Sequence, residues 1–306
     1  MSDPVGPINH PRTRPLEMGE ASRSRSDRDV SSVHARNETY SSRHILPESL
    51  VVSQRGPVTL VRLSRPAKGN AMDGEMIAGL DTFFRSPPEG TRAIIVHGEG
   101  KHFSTGLDLS TVTEASAAGV VRASRTAQGA LEGVEYGDVP VIAVLHGAVI
   151  GGGLELAAAA HIRVAERGAY YALPEGMRGI FVGGGGAVRI PRLIGTARMI
   201  DMMLTGRTYG AEEGASLGFS QYVVDDGNGL ATAIELAERI ATNAVLSNFA
   251  VVQALPRIAR ADSETGLLTE SLMVAIALSD EEAKRRLHAF LEKRAPKAYH
   301  HAAAGA

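Results

Sequence analysis

Two glutamates and two glycine-bounded stretches hold the chemistry this sequence offers. In "AVIGGGLELAAAAHIRVA", residues 148–165, Glu155 follows three glycines and is surrounded by leucines and alanines. A lone carboxylate in apolar surroundings is costly to bury, so it needs a partner, a proton or a task. The segment alone leaves two uses open: an acid offsetting the dipole of a helix that begins at the glycines, or a working group in a pocket. Glycines 151 to 153 let backbone approach a ligand, and a helix starting there presents unpaired N–H groups that can cradle an oxyanion or phosphate. A plain turn is their other use. Twenty residues on, Glu175 in "YALPEGMRGIFVGGGG" again follows an apolar run. Two carboxylates held together raise each other's affinity for a proton and make an acid/base couple near neutral pH, although spacing alone leaves open whether they meet. The loop "GKHFSTGLDLS", residues 100–110, can bring a further N–H; two donors aimed at one oxygen stabilise an enolate-like oxyanion.

Positioning these groups falls to short apolar runs. "SLVVSQRGPVTLVRLSRP" places two β-branched runs around "QRGP" and predicts a hairpin, and a helix is predicted over 73–85. "RAIIVHGEG", residues 92–100, and "PVIAVLHGAVIG", residues 140–151, each read as a strand closed by glycine. Apolar runs separated by helices predict a sheet buried on both faces. "HIRVAE" and "AYYALPE" read as two strands around the turn "ERG", and "AVRIPRLIGTARMIDMMLTG" as a helix interrupted at Pro191. In "SDEEAKRRLHAFLEKR", Ser279 and Glu282 fit a capping box, and Ala283, Leu287, Phe290 and Leu291 share one face. The organisation predicted is a disordered extension over 1–45, a core over 46–228, a helical region over 229–299 and a loose tail over 300–306.

Composition narrows the classes. Hydrophobic residues at 44% and charged residues at 22% over 306 positions describe a soluble globular chain with no membrane-like run. A net charge of -2 gives no general attraction to nucleic acid or anionic lipid. Without cysteine there is no disulfide, thiolate metal site or cysteine nucleophile, so oxygen and nitrogen groups must do the chemistry, and a cytoplasmic location is expected. His97 and His102 come nearest to a metal-ligand spacing but lack an acidic partner at motif distance, so no metal site is predicted.

Taken in order, "RPAKGNAMD", "KHFSTGLDLS", "PVIAVLHGAVIGGGLELA", "LPEGMRGIFVGGGGAVRIPRLIG" and "LTGRTYGAEEGASLGFSQYVV" resemble the enoyl-CoA hydratase/isomerase, or crotonase, superfamily over about residues 48–293. The resemblance implies an α/β fold of repeated ββα turns with a helical C-terminal region, assembled as a homotrimer or dimer of trimers. It implies an acyl-CoA substrate, coenzyme A being part of the thioester and no separate cofactor being needed. By the same likeness the thioester oxygen is held by the backbone N–H groups of Leu107 and Gly152. Glu155 and Glu175 match the two acids of the family's hydratases, Glu155 activating a water for attack at Cβ and Glu175 exchanging the proton at Cα. Lys68 and Ala71 fall in the loop that meets coenzyme A, where a solvated turn lysine is the plainer use of Lys68.

Two departures from the family pattern stand out: His161 where many relatives have Asp, and Val182 where hydratases commonly have proline. The function implied is hydration of a 2-enoyl-CoA or its reverse. The alternatives are Δ3-Δ2 isomerisation run on Glu175, a cinnamoyl-type hydratase-lyase, and a catalytically silent acyl-CoA-binding scaffold. Dehalogenation is disfavoured because its nucleophilic Asp would fall near Gly183. Tyr170, Tyr171 and Phe181 are read as core packing rather than substrate contacts.

Overall fold

A computed structural model describes residues 46–111 and 116–294; the extension and tail expected at the two ends lie outside the described residues. The expected hairpin is formed by β1 (Leu50–Arg55) and β2 (Val58–Leu63), with Arg55 opposite Val58, so the turn tightens to Gly56 and Pro57. The predicted helix follows as α1 (Gly74–Arg85), capped by the Asp73 side chain, which accepts from Met76 N–H. Next come β3 (Ala93–Gly98) and α2 (Ala117–Glu135).

Residues 140–151 are not one strand. They divide into β4 (Val141–Leu145) and β5 (Ala148–Ile150), which belong to different sheets. Gly147 makes the break at φ +52°, where a Cβ would collide with Lys101 O. After α3 (Gly152–Ala159), the two strands around "ERG" likewise part company: β6 (Ile162–Glu166) joins β4, and β7 (Tyr170–Ala172) joins β5. The helical stretch that follows is interrupted at Gly195 and not at Pro191. α4 (Gly186–Ile194) carries Pro191 inside it and α5 (Thr196–Thr205) begins beyond Gly195, whose φ of +84° ends the first helix. Pro191, the sixth residue of α4, forgoes one intrahelical hydrogen bond without ending the helix.

Then come β8 (Tyr209–Gly210), α6 (Ala211–Leu217), β9 (Tyr222–Val224) and α7 (Gly229–Ala241). Among the described residues the larger sheet has the order β1-β2-β3-β4-β6-β9, parallel except for the hairpin, and the smaller has the order β5-β7-β8. Side chains alternate across the larger sheet, as the apolar runs required. Val61, Ile94, Val96, Ala143 and Leu145 face a core shared with α1, α2 and α3. Leu60, Ile95, Ile142, Val144 and Val164 face a second core closed by Ala233, Leu236 and Ala237 of α7.

The chain ends in α8 (Val245–Gln253), α9 (Leu255–Ile258), α10 (Ser263–Ser279) and α11 (Glu281–Leu291). The cap of α11 is Asp280, whose carboxylate accepts from Ala283 N–H at 3.1 Å; Ser279 closes α10 instead, and with Ala283 three residues past the cap the predicted Ser279–Glu282 capping box does not form. A carboxylate at the cap also suits the positive end of the helix. The apolar face expected on α11 is not packed within the chain, since Leu287, Phe290 and Leu291 are all exposed.

Candidate active site

β5 frames the site. Along one edge, Ser104 N–H donates to Ala148 O at 3.1 Å and Ile150 N–H to Ser104 O at 3.0 Å. Along the other, Ile150 lies in register with Ala172, and Gly151 N–H donates to Ala172 O at 3.0 Å. The loop bearing Leu107 and the segment leading to Glu175 are therefore both stitched to the three residues that precede the glycine triplet.

The Leu107 loop is braced on its far side. Met72 N–H donates to Gly106 O at 2.7 Å and Asp108 N–H to Met72 O at 2.8 Å, which leaves the intervening Leu107 N–H turned away from that ladder. Arg65 ion-pairs with Asp73 at 3.1 Å and with Asp108 at 3.0 Å, joining the start of α1 to this loop. Among the described residues, neither Leu107 N–H nor Gly152 N–H donates to a protein acceptor. A methyl on Gly152 would lie 3.3 Å from Leu107 N, and one on Gly106 3.3 Å from Gly152 N, so the two amides are neighbours with no room for a side chain between them. Two unpaired donors at such close quarters can hold one oxygen.

Glu155, 5% exposed, lies in the first turn of α3. Gly184 and Gly186 N–H both donate to its Oε1, at 2.8 and 2.7 Å, which leaves Oε2 for another partner. Burial pushes its carboxyl above the ordinary range, against the pull of these amides and of Arg189. Glu175 follows β7 and is 7% exposed. Its Oε2 is buried with no hydrogen-bond partner among the described residues, and its Oε1 faces Gly151. Burial raises its proton affinity as well, and the charge of Glu155 adds to the rise while Arg178 opposes it. The spacing left open whether the two acids meet; Glu175 lies against Gly151, at the start of the helix that carries Glu155, and the charge of Glu155 raises its proton affinity.

Lys68 is exposed at the end of a single 3-10 turn, Pro66–Lys68. Ala71 is partly buried, with its N–H donating to Lys68 O at 3.1 Å and its C=O accepting from Arg65 at 2.6 Å. His161 takes up a structural post: Val141 N–H donates to its Nδ1 at 2.9 Å, which leaves Nε2–H to donate to Glu135 O at 3.1 Å. Val182 packs into the main core. Tyr171 is core, stacked on Phe219 with centroids 4.6 Å apart. Tyr170 and Phe181 depart from the expected core packing: both are exposed, Phe181 by 69%. Tyr170 opens β7 on its exposed side, and Phe181 follows Met177 and Ile180 in an exposed stretch beyond Glu175, which apolar bulk alone could not show.

Three contributors escaped the sequence reading: the amides of Gly184 and Gly186, the Arg65 clamp, and Arg189. The first had a signal, because "GGGG" precedes a helix just as "GGG" does before Glu155. The arginines had none, since the ion pairs Arg189–Glu135 and Arg65–Asp108 join segments distant in the sequence.

The site thus sets two neighbouring backbone amides with no protein acceptor among the described residues beside two buried acids, on an α/β fold of two sheets. Residues 53–300 match the family model for enoyl-CoA hydratase/isomerase, and the chain belongs to that family. It is an enzyme, a lyase of the hydratase and dehydratase kind. A carnitinyl-CoA dehydratase of Salmonella typhi is 36% identical over 265 residues, spanning 82% of this chain and 98% of the relative. A solved candidate enoyl-CoA hydratase from Rhodopseudomonas palustris CGA009 is 56% identical, with a TM-score of 0.79 over 82% of this chain and 98% of that one. The solved enoyl-CoA hydratase from Bacillus anthracis is 30% identical, with a TM-score of 0.76 over 82% and 98%.

Proposed function

We propose that this enzyme adds water reversibly across the 2,3 double bond of a 2-enoyl-CoA, giving a 3-hydroxyacyl-CoA. The observation that carries the proposal is the pair of buried carboxyls, both with raised proton affinity, beside the unpaired Leu107 and Gly152 amides. The thioester oxygen accepts from those two N–H groups, which draws electron density from Cβ. Ionised Glu155 takes a proton from water as the water oxygen bonds to Cβ, and the double-bond electrons move onto the thioester oxygen. Protonated Glu175 then delivers its proton to Cα as the enolate collapses. A proton returning from Glu155 to Glu175 resets the pair, so one water is consumed and nothing else changes.

Run backwards, the same steps remove water, the direction in the name of the Salmonella relative. Coenzyme A enters as part of the substrate, with the Lys68 ammonium and the loop around Ala71 meeting its nucleotide end, and no further cofactor takes part. A Δ3-Δ2 isomerase would need only the proton exchange at Glu175, so the two amides that hold Glu155 favour hydration.

The working unit is a homotrimer or a dimer of trimers. α10 does not gather its apolar residues on one face, and Leu267, Leu268, Leu272, Val274, Ile276 and Leu278 are exposed in the single chain, a surface that calls for cover by further copies. Light scattering of the purified protein tests the assembly. The chemistry is tested with a short 2-enoyl-CoA, following loss of the conjugated enoyl absorbance and identifying the product. A 3-hydroxyacyl-CoA supports hydration. Conversion of 3-enoyl to 2-enoyl thioester alone supports isomerisation.

A further inference from the structure

The Gly183–Gly186 ribbon that grips Glu155 has no side chains of its own, and free glycines would leave the donors at 184 and 186 poorly placed. It is held from outside. Ser124 Oγ and Gln128 Nε2 of α2 donate to Gly183 O at 2.6 and 3.2 Å, and Arg189 Nη1 donates to Gly184 O at 2.9 Å. Gly184 is thus bonded on both sides of the residue: its C=O by Arg189, its N–H to Glu155.

Arg189 is 7% exposed and needs a counter-charge. Glu135, at the end of α2, supplies it at 2.6 Å through Oε2, and the other oxygen of Glu135 accepts from Arg260. Burial pushes the Glu135 carboxyl up, but Arg260 and Arg189 outweigh it and hold the group ionised. Arg260 lies just past α9 and shares the Tyr136 ring with Arg257, at 5.5 and 4.1 Å from its centroid. One line of contacts therefore runs from the C-terminal helices to the site: Arg260, Glu135, Arg189, Gly184, Glu155. The other charges bearing on the pair of acids are few. Arg189 acts on Glu155, Glu155 and Arg178 act on Glu175, and His161, held neutral by burial, donates to the backbone of Glu135.

We propose that Arg189 is a positioning residue for Glu155, and that Glu135 and Arg260 set how strongly it acts. The proposal rests on the hydratase reading, in which Glu155 works as the base. It has an electrical signature that mere packing lacks. Removing Arg189 takes a positive charge away from Glu155 and raises its affinity for a proton. Removing the charge of Glu135 exposes Arg189 and lowers that affinity.

The test is the pH profile of kcat/KM for a short 2-enoyl-CoA, whose acid limb reports ionisation of the coupled acids, with Glu155 as the base. Arg189→Met is expected to move the acid limb up by about one pH unit and to lower kcat about tenfold, while acyl-CoA binding stays within about twofold of wild type. Arg189→Lys, which restores the charge without the fork of donors, is expected to fall between the two. Glu135→Gln is expected to move the limb down by a few tenths of a unit. Should Arg189→Met fail to fold, Arg260→Met at the partly exposed end of the line replaces it, with a smaller upward shift. Acid limbs that stay put, or that move the same way in the arginine and Glu135 variants, overturn the positioning role. Glu155→Gln run in parallel separates the two readings: wild-type turnover there sinks the hydratase assignment, whereas an inactive Glu155→Gln beside unmoved limbs sinks only the role of Arg189.

Discussion

The carboxylate of Glu175 lies directly against the backbone of Gly151: a methyl at position 151 would stand 2.6 Å from Glu175 Oε1. Gly151 also has a φ of +53°, a conformation that strains any residue with a β-carbon. Gly151→Ala is therefore expected to displace the Glu175 acid and to tilt the adjoining Gly152 N–H. A fall in kcat of about 100-fold or more is expected, together with a lower unfolding temperature. Enoyl-CoA turnover and thermal unfolding measure the two effects, and wild-type turnover would show that the acid has no need of this close fit.

Glu175→Gln keeps the shape of the side chain and removes the proton it delivers. Turnover is expected to fall about 1,000-fold with little change in acyl-CoA affinity, because proton transfer by a placed side chain is worth about that much. Stopped assays for rate and equilibrium titration for binding separate these effects. Hydration at near-normal rate would remove Glu175 from the chemistry.

At Glu155 the informative measurement is product identity. Glu155→Ala deletes the acceptor for Gly184 and Gly186 N–H and, with it, the base for the incoming water. Hydration is expected to fall by at least about 100-fold, while exchange of the Cα proton, run on Glu175, survives better. Persistent formation of 3-hydroxyacyl-CoA would exclude an essential role in water activation.

Much of this site could be read from residue order because its parts are backbone devices with a glycine signature. "GGG" before a helix marked unpaired N–H groups, and an acid four residues past Gly151 had to be explained by more than its leucine and alanine neighbours. The hairpin and the two-faced sheet followed from β-branched and apolar runs closed by turn residues. What stayed hidden depended on the fold closing. Gly147 splits one apolar run between two sheets because Lys101 O crowds it, a contact between distant segments. α2 gave no distinct signal, since only Ala130, Leu131 and Val134 near its end are buried. Arg65, Arg163 and Arg189 look like ordinary surface arginines until the carbonyls and acids they meet are brought to them.

His161 gives the fold an acid-sensitive contact. Burial holds its ring at about 4, well below the usual 6.5, so the folded state keeps it neutral while the unfolded chain takes up a proton. The stability this contributes is fully present above about pH 6.5 and is lost as pH falls toward 4. His97, also lowered to about 4 chiefly by burial, adds to the same trend, while the raised carboxyls of Glu155 and Glu175 oppose it. His161→Asn can still accept from Val141 N–H but cannot be protonated. Its unfolding free energy is expected to decline less steeply than wild type between pH 6.5 and 4. Parallel slopes in denaturant titrations across that window would place the acid sensitivity elsewhere.

Arg163 is the hidden support of α3. It is buried with no carboxylate paired to it among the described residues, and burial lowers its guanidinium to about 10. Its charge is met by carbonyls instead: Phe219 O at 2.7 Å, Ala157 O at 3.4 Å and Ala160 O, the last two at the C-terminal end of the helix whose first residue is Gly152. A cation there complements the negative end of the dipole and fixes the helix along its axis. Arg163→Met fills similar space but leaves those carbonyls unsatisfied, at a cost of about 3 kcal/mol in unfolding free energy. Because the same helix presents Gly152 N–H and Glu155, kcat is expected to drop even where the variant is fully folded. Denaturant titration and turnover at low temperature measure both. An unchanged midpoint would mean that water satisfies the carbonyls, and an unchanged kcat in a destabilised variant would confine Arg163 to stability.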